Sequence, residues 1–261
     1  MIFTFKFDNK KLRIYLERHS DFSAFYQVFI EKSYPHLVSR IGEGNTIIDA
    51  GANIGVFSMM ASILVGKTGK VISIEPDPEN INILQKNIQL NQLDNVVIVP
   101  KALYSESGKI LKFYQDGVMS KIIINTLQNE YKSTEVDTIT LNEIIEKFDL
   151  KPNALKMDIE GAEKFALLKA DKVMKEINYF EGEIHSQEDY KVLMSYSDIF
   201  NFKQSPAESL HNVFNFAIKY PLKTLELEYS NRFKTTKRLL FSITNKSQRT
   251  NFPIIMYGVR K

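Results

Sequence analysis

The sequence predicts an α/β protein: a doubly wound, mostly parallel sheet with an N-terminal β-hairpin and a helical C-terminal insertion. Two observations carry that expectation. Short β-branched runs alternate with segments of helical period, which is the pattern of successive β-α-β units. In addition, IIDAGANIG (47–55) places an acid and two glycines four residues apart where a strand hands over to a helix.

The elements follow in order. Phe3, Phe5 and Phe7, then Leu12, Ile14 and Leu16, alternate about the polar turn DNKK and predict a hairpin. Residues 21–31 predict a short helix ending near SYPHL. TIIDAGA (46–52) is the first core strand, its β-branched residues giving way to small ones. Val56, Phe57, Met60, Ala61 and Leu64 recur at helical spacing, with Gly66 as the stop. KVISIEPD (70–77) is a second buried strand, and Asp77 and Pro78 suit the cap and first residue of a helix carrying Ile81, Leu84 and Ile88. NVVIVPKA (95–102) is a third strand. TLNE (140–143) is a capping-box pattern ahead of an apolar face of Leu141, Ile144, Ile145 and Phe148. NALKMDIEG (153–161) and INYFEGEIH (177–185) are two more strands with a helix over about 162–170 between them, and FPIIMYGVRK (252–261) is the last strand. With no repeat or clear linker, the chain reads as one domain: hairpin and helix over 1–40, a core over 41–204, a basic helical insertion over 205–250 and a final strand over 251–261.

Composition bounds the chemistry. The 261 residues suffice for one large α/β domain, and 44% hydrophobic with 25% charged residues is ordinary for a globular chain. The absence of Cys excludes disulfides, thiolate zinc sites, iron–sulfur clusters and a Cys nucleophile, and it fits a cytoplasmic location. No apolar run approaches the ~20 residues of a membrane helix, and the alternating N-terminus lacks the apolar core of a signal peptide.

Ligands of such sheets bind outside the carboxyl ends of the strands, where strand order reverses. Gly51 and Gly55 permit close backbone approach and a sharp turn into the helix. Asn53 tolerates unusual backbone angles, and Asp49 is an acceptor for the loop or for a ligand's cationic amine. The dinucleotide pattern G-x-G-x-x-G fails at Asn53 and at Val56, so the loop suits a ligand without phosphates and a nicotinamide dehydrogenase is disfavoured. Glu75, closing the second strand, is placed to accept from ribose hydroxyls; the competing reading is a surface Glu on an ordinary strand–turn–helix.

Five stretches, TIIDAGANIGVFSMMAS, VISIEPDPENINILQKNI, VPKALYSESG, VDTITLNEII and ALKMDIEGAE, together resemble the FkbM-like family of S-adenosylmethionine-dependent methyltransferases, in that family's order and over roughly residues 40–190. The resemblance implies a class I methyltransferase fold, S-adenosylmethionine as donor, and O-methylation of a hydroxyl on a sugar, glycan or secondary metabolite. It places Asp49, Gly51, Asn53 and Gly55 beside the methionine part of the donor, Glu75 on its ribose, and Lys101 and Ala102 beside its adenine.

An aliphatic hydroxyl must lose its proton during attack, so a base or a metal is required. Asp158 and Glu160 are two apart and share a face if their strand runs that far, and Glu181, Glu183 and His185 share a face by the same period. Adjacent strands would gather Asp158, Glu160, Glu183 and His185 round one pocket, with His185 as the preferred base. The same carboxylates, Asp158, Glu160 and Glu183, offer a second route through Mg²⁺. The competing reading makes them helix caps or partners of Lys156 and Lys164.

Two rivals remain at this stage: a non-catalytic S-adenosylmethionine-binding module and an RNA hydroxyl methyltransferase. Base-amine chemistry is disfavoured because DIEG stands where an Asn/Asp-Pro-Pro-aromatic motif would be. Between Lys219 and Arg249, eight Lys or Arg face two Glu, which reads as a solvated helix face or as a rim for an anionic acceptor.

Overall fold

The computed structural model describes residues 1–114, 121–122, 133–205 and 254–261. Most of the expected basic insertion over 205–250, with the charged run 219–249, lies outside them. The hairpin pairs β1 (Ile2–Phe7) with β2 (Lys10–Tyr15). Asp8 and Asn9 both take positive φ at its tip, the two-residue turn whose twist matches a hairpin. The expected 21–31 helix is α1 (His19–Phe25), continued by a π-helical turn over Tyr26–Ile30. An unexpected four-residue helix, α2 (Pro35–Val38), follows it.

Next come β3 (Thr46–Ala50), α3 (Val56–Val65), β4 (Lys70–Ile74), α4 (Pro78–Leu90) and β5 (Val96–Val99). Gly66, at φ 64°, ends α3, and Asp77 caps α4 by accepting from the Glu79 N–H at 2.8 Å. The third strand is shorter than expected. Its last residues leave the sheet, and β6 (Ala102–Leu103) joins β7 (Ile110–Tyr114), β8 (Lys121–Ile122) and β9 (Ser133–Ile139) in a second sheet of order β6-β9-β7-β8.

The chain then forms α5 (Leu141–Lys147), β10 (Ala154–Met157), α6 (Glu163–Leu167), α7 (Asp171–Glu176), β11 (Tyr179–Ile184), α8 (Gln187–Met194), β12 (Phe200–Gln204) and β13 (Ile254–Arg260). The Thr140 hydroxyl caps α5 by accepting from the Glu143 N–H, as TLNE implied.

Among the described residues, seven strands make the central sheet in the order β12-β13-β11-β10-β3-β4-β5. The run from β11 to β5 is parallel, and β13 is antiparallel to both its neighbours. Neighbouring residues of one strand feed opposite faces. Ile48, Ile72 and Leu155 pack with Leu141, Leu167 and Met174 of α5–α7, while Ile47, Val71 and Ala154 pack with Phe57, Ala61 and Val65 of α3. Apolar burial on both faces is what makes the sheet doubly wound.

After β3 the chain steps outward through β4 and β5, then returns to lay β10 against the other side of β3. The order reverses between β3 and β10, and the loops leaving these two strands flank the crevice at that point.

Candidate active site

The exit of β3 is held by a buried ion pair. Lys156 and Asp49 are register partners, both almost fully buried, with Nζ 3.1 Å from Oδ1. The Lys156 ammonium also donates to the Gly51 carbonyl at 2.7 Å, and the Ser58 hydroxyl donates to Asp49 Oδ2. Burial opposes the charge on Lys156, but Asp49 and then Asp158 outweigh it and raise its pKa. Asp49 is therefore an internal anchor of the loop.

Beyond it, Gly51, Asn53 and Gly55 all lie at positive φ. A Cβ on Gly51 would sit 1.8 Å from the Asp158 carbonyl oxygen, so the glycine is needed where the two strand exits press together. The Asn53 N–H donates to Glu75 Oε2 at 2.7 Å, and the Asp77 N–H and Asn80 amide reach Oε1. These bonds use three of the roughly four acceptor positions of a carboxylate, leaving one on Oε2 for a hydroxyl. Burial raises the Glu75 pKa to about 7 against the pull of the same donors.

Lys101 and Ala102 stand apart from this group. Lys101 pairs with Asp137 at 3.6 Å, and Ala102 is buried in the second sheet with Phe113 and Val136. Glu75 and this segment meet through the main chain, where the Glu75 N–H donates to the Val99 carbonyl.

Across the crevice, β10 stops at Met157, so Asp158 and Glu160 do not share a strand face. They sit on a tight turn in which Glu160 (φ 55°) and Gly161 (φ 92°) are both left-handed. The turn nevertheless gathers the expected cluster. His185 Nε2 lies 3.6 Å from Glu160 Oε2, 3.8 Å from Glu183 Oε2 and 4.0 Å from Asp158 Oδ1. Glu181, one strand repeat earlier, is elsewhere: it is fully buried and accepts from the Leu37 N–H of α2.

Two residues that sequence reasoning passed over organise the cluster. Glu163, fully buried in the first turn of α6, accepts from the N–H groups of Ile159 and Gly161 at 3.2 Å and meets His185 Nδ1 at 2.9 Å. With the Nδ1 proton on that bond, Nε2 is the atom that faces the carboxylates. Tyr34, just before α2, donates its hydroxyl to Asp158 Oδ2 at 3.1 Å. Burial and then the Asp158 charge push the Tyr34 pKa well up, so it stays a donor. Burial opposes a charge on His185, yet the Glu163 hydrogen bond and the charges of Glu163, Asp158 and Glu160 raise its pKa to about 9.

Glu163 lies inside the quoted ALKMDIEGAE stretch, and a lone Lys in the buried run ALKM signals a paired charge. Nothing in the sequence pointed to Tyr34.

The methyltransferase FkbM domain model matches residues 49–208, which take in the β3 exit, Glu75 and the whole acid–histidine turn. The chain belongs to the FkbM methyltransferase family. Its fold is that of class I methyltransferases, and the methyl donor of the family is S-adenosylmethionine. Among curated relatives, the hexuronic acid methyltransferase AglP of Haloferax volcanii is 26% identical over 59% of this chain and 62% of its own length. A probable cobalt-precorrin-6B C(15)-methyltransferase of Sulfurisphaera tokodaii is 36% identical over 25% of this chain and 36% of its own. The FkbM chain thus spans less than two thirds of either relative. A putative rRNA methylase from Clostridium thermocellum superposes with a TM-score of 0.50 at 12% identity, covering 88% of this chain and 93% of that one, a likeness of fold alone. Among the described residues, no helix is long and apolar enough to cross a membrane.

Proposed function

We propose that this FkbM protein transfers the methyl group of S-adenosylmethionine to a hydroxyl of a sugar or glycan. The observation that carries the reading is the junction of Gly51 with Asp158, which sets the donor loop directly against a cluster of proton acceptors. Bound S-adenosylmethionine supplies an electrophilic methyl on a cationic sulfur. The acceptor oxygen forms the new C–O bond as the C–S bond breaks toward sulfur, leaving a thioether, and the hydroxyl proton passes to a carboxylate of the cluster. His185, with its pKa raised to about 9, takes it only in the fraction that is neutral, so its part as a base grows as pH rises toward 9. Positioning supplies much of the acceleration in such an in-line displacement.

Glu75 keeps one acceptor position for the donor's ribose, and the loop from Gly51 to Gly55 lies against its methionine end. Asp49 acts on the donor only by holding this loop. Lys101 and Ala102 bound the adenine end through the main chain that follows β5.

A hydroxyl is favoured over a carboxylate acceptor because the carboxylates of Asp158, Glu160 and Glu183 repel an anion there and would receive a proton. AglP, named for a hexuronic acid, supports a saccharide as the carrier of that hydroxyl. The test is methyl transfer from labelled S-adenosylmethionine to a panel of hexuronic acid glycans, neutral glycans and RNA. Alkali-stable label on a glycan is the expected result. Alkali-labile label would mean a methyl ester, label on RNA would favour the ribose-hydroxyl reading, and donor binding with no transfer to anything would leave a binding module.

A further inference from the structure

The spacing inside the acid–histidine cluster is odd for a hydrogen-bonded network. The three distances from His185 Nε2 to Glu160, Glu183 and Asp158, 3.6, 3.8 and 4.0 Å, are too long for hydrogen bonds. They suit ligands of a shared ion: two donors each ~2.1–2.2 Å from one cation lie up to ~4.4 Å apart. One donor atom each from Asp158, Glu183 and His185 falls within 4.8 Å of the others, so a contraction of a few tenths of an ångström closes the set.

The outer contacts point the same way. Glu163 takes His185 Nδ1 and the Tyr34 hydroxyl takes Asp158 Oδ2, and these bonds turn Nε2 and Oδ1 inward. A carboxylate behind a ligating imidazole is the usual support of a metal-bound histidine. Asp158 Oδ1 is shielded from solvent and has no hydrogen-bond partner among the described residues.

We propose that Asp158, Glu183 and His185 form a binding site for a divalent transition cation of the Mn²⁺ class, with Glu160 as a further oxygen donor. The imidazole nitrogen in a mainly oxygen set selects Mn²⁺ over the harder Mg²⁺. The use of the ion, to hold the acceptor's hydroxyl beside the donor, rests on the methyl-transfer reading; the binding site does not.

The experiment titrates Mn²⁺ into chelator-treated protein and follows the free-ion electron paramagnetic resonance signal. One ion per chain with a dissociation constant below ~100 μM is expected, weakened at least tenfold in Asp158→Asn and in Glu183→Gln and unchanged in Asp94→Asn. To keep the test independent of variant folding, the wild-type protein is also labelled with ¹⁵N-histidine. Mn²⁺ should then broaden the imidazole signal of His185 first among the four histidines. Absence of stoichiometric binding, or broadening that spares His185, overturns the site. Calorimetry with S-adenosylhomocysteine and the acceptor panel are run alongside, so a bound ion without transfer indicts the acceptor assignment and leaves the metal site standing.

Discussion

Glu160 is held in a left-handed conformation that costs a non-glycine residue ~1–2 kcal/mol, and its carboxylate faces His185 at 3.6 Å, the same imidazole that Asp158 and Glu183 approach. Strain combined with like charge at one residue is expected where function, and not stability, has set the choice. Glu160→Gly should therefore raise stability by ~0.5–1 kcal/mol in chemical denaturation while lowering kcat; a destabilised variant would show that the carboxylate holds the turn together. Glu75 makes a different kind of prediction. Its pKa is raised from 4.5 to about 7, so the folded state favours its protonated form. The stability this contributes is complete below pH ~4.5 and is lost as pH rises through 7. Thermal melts from pH 5 to 8 should show Tm falling by a few degrees, with the fall reduced in Glu75→Gln. An identical slope in the variant would place the titration elsewhere, for instance on Glu181, which burial also raises to about 7.

Among elements, the decisive contact is between the ends of β3 and β10. Gly51→Ala would drive a methyl into the Asp158 carbonyl at a positive φ, and should cost more than ~2 kcal/mol because backbone cannot step aside. Gly55→Ala meets only Leu84 Cδ1, the end of a side chain, and should cost less. Equal losses in denaturant titrations would refute the distinction. On α6, Glu163→Gln keeps an acceptor for Ile159, Gly161 and His185 but removes the charge, so the His185 pKa should fall from about 9 toward its ordinary value in an NMR titration. These elements also show what was legible in the sequence. Asp158 and Glu160 reach His185 from a left-handed turn and not along a strand face as the period implied. The strands β3, β4 and β11, the caps at Asp77 and Thr140, and the approach of Glu183 to His185 follow from local pattern and period. The second sheet does not, because β6 has only two residues and takes its pairing from β9, far along the chain. Nor does the early end of β10, where Glu163 ties down the turn through local bonds to the Ile159 and Gly161 N–H groups that strand period does not reveal. Tyr34 was invisible because its partner is 124 residues away.

At the scale of the molecule, the parallel strands β4, β3 and β10 are buried on both faces and should exchange their amides slowest, while the hairpin β1–β2, with its mostly exposed or half-buried pattern, exchanges first. Hydrogen exchange that protected the hairpin as well as the central strands would mean one cooperative unit. The placing of β13 has a further consequence, this time for biosynthesis. Residues 254–260 lie between β11 and β12 and pair with both, yet they are translated after everything they join. Until they leave the ribosome, β11 has a bare edge, and that strand carries Glu183 and leads into His185. The nascent chain then offers an open template for mispairing, and the sheet beside Glu183 and His185 is complete only once 254–260 have been made.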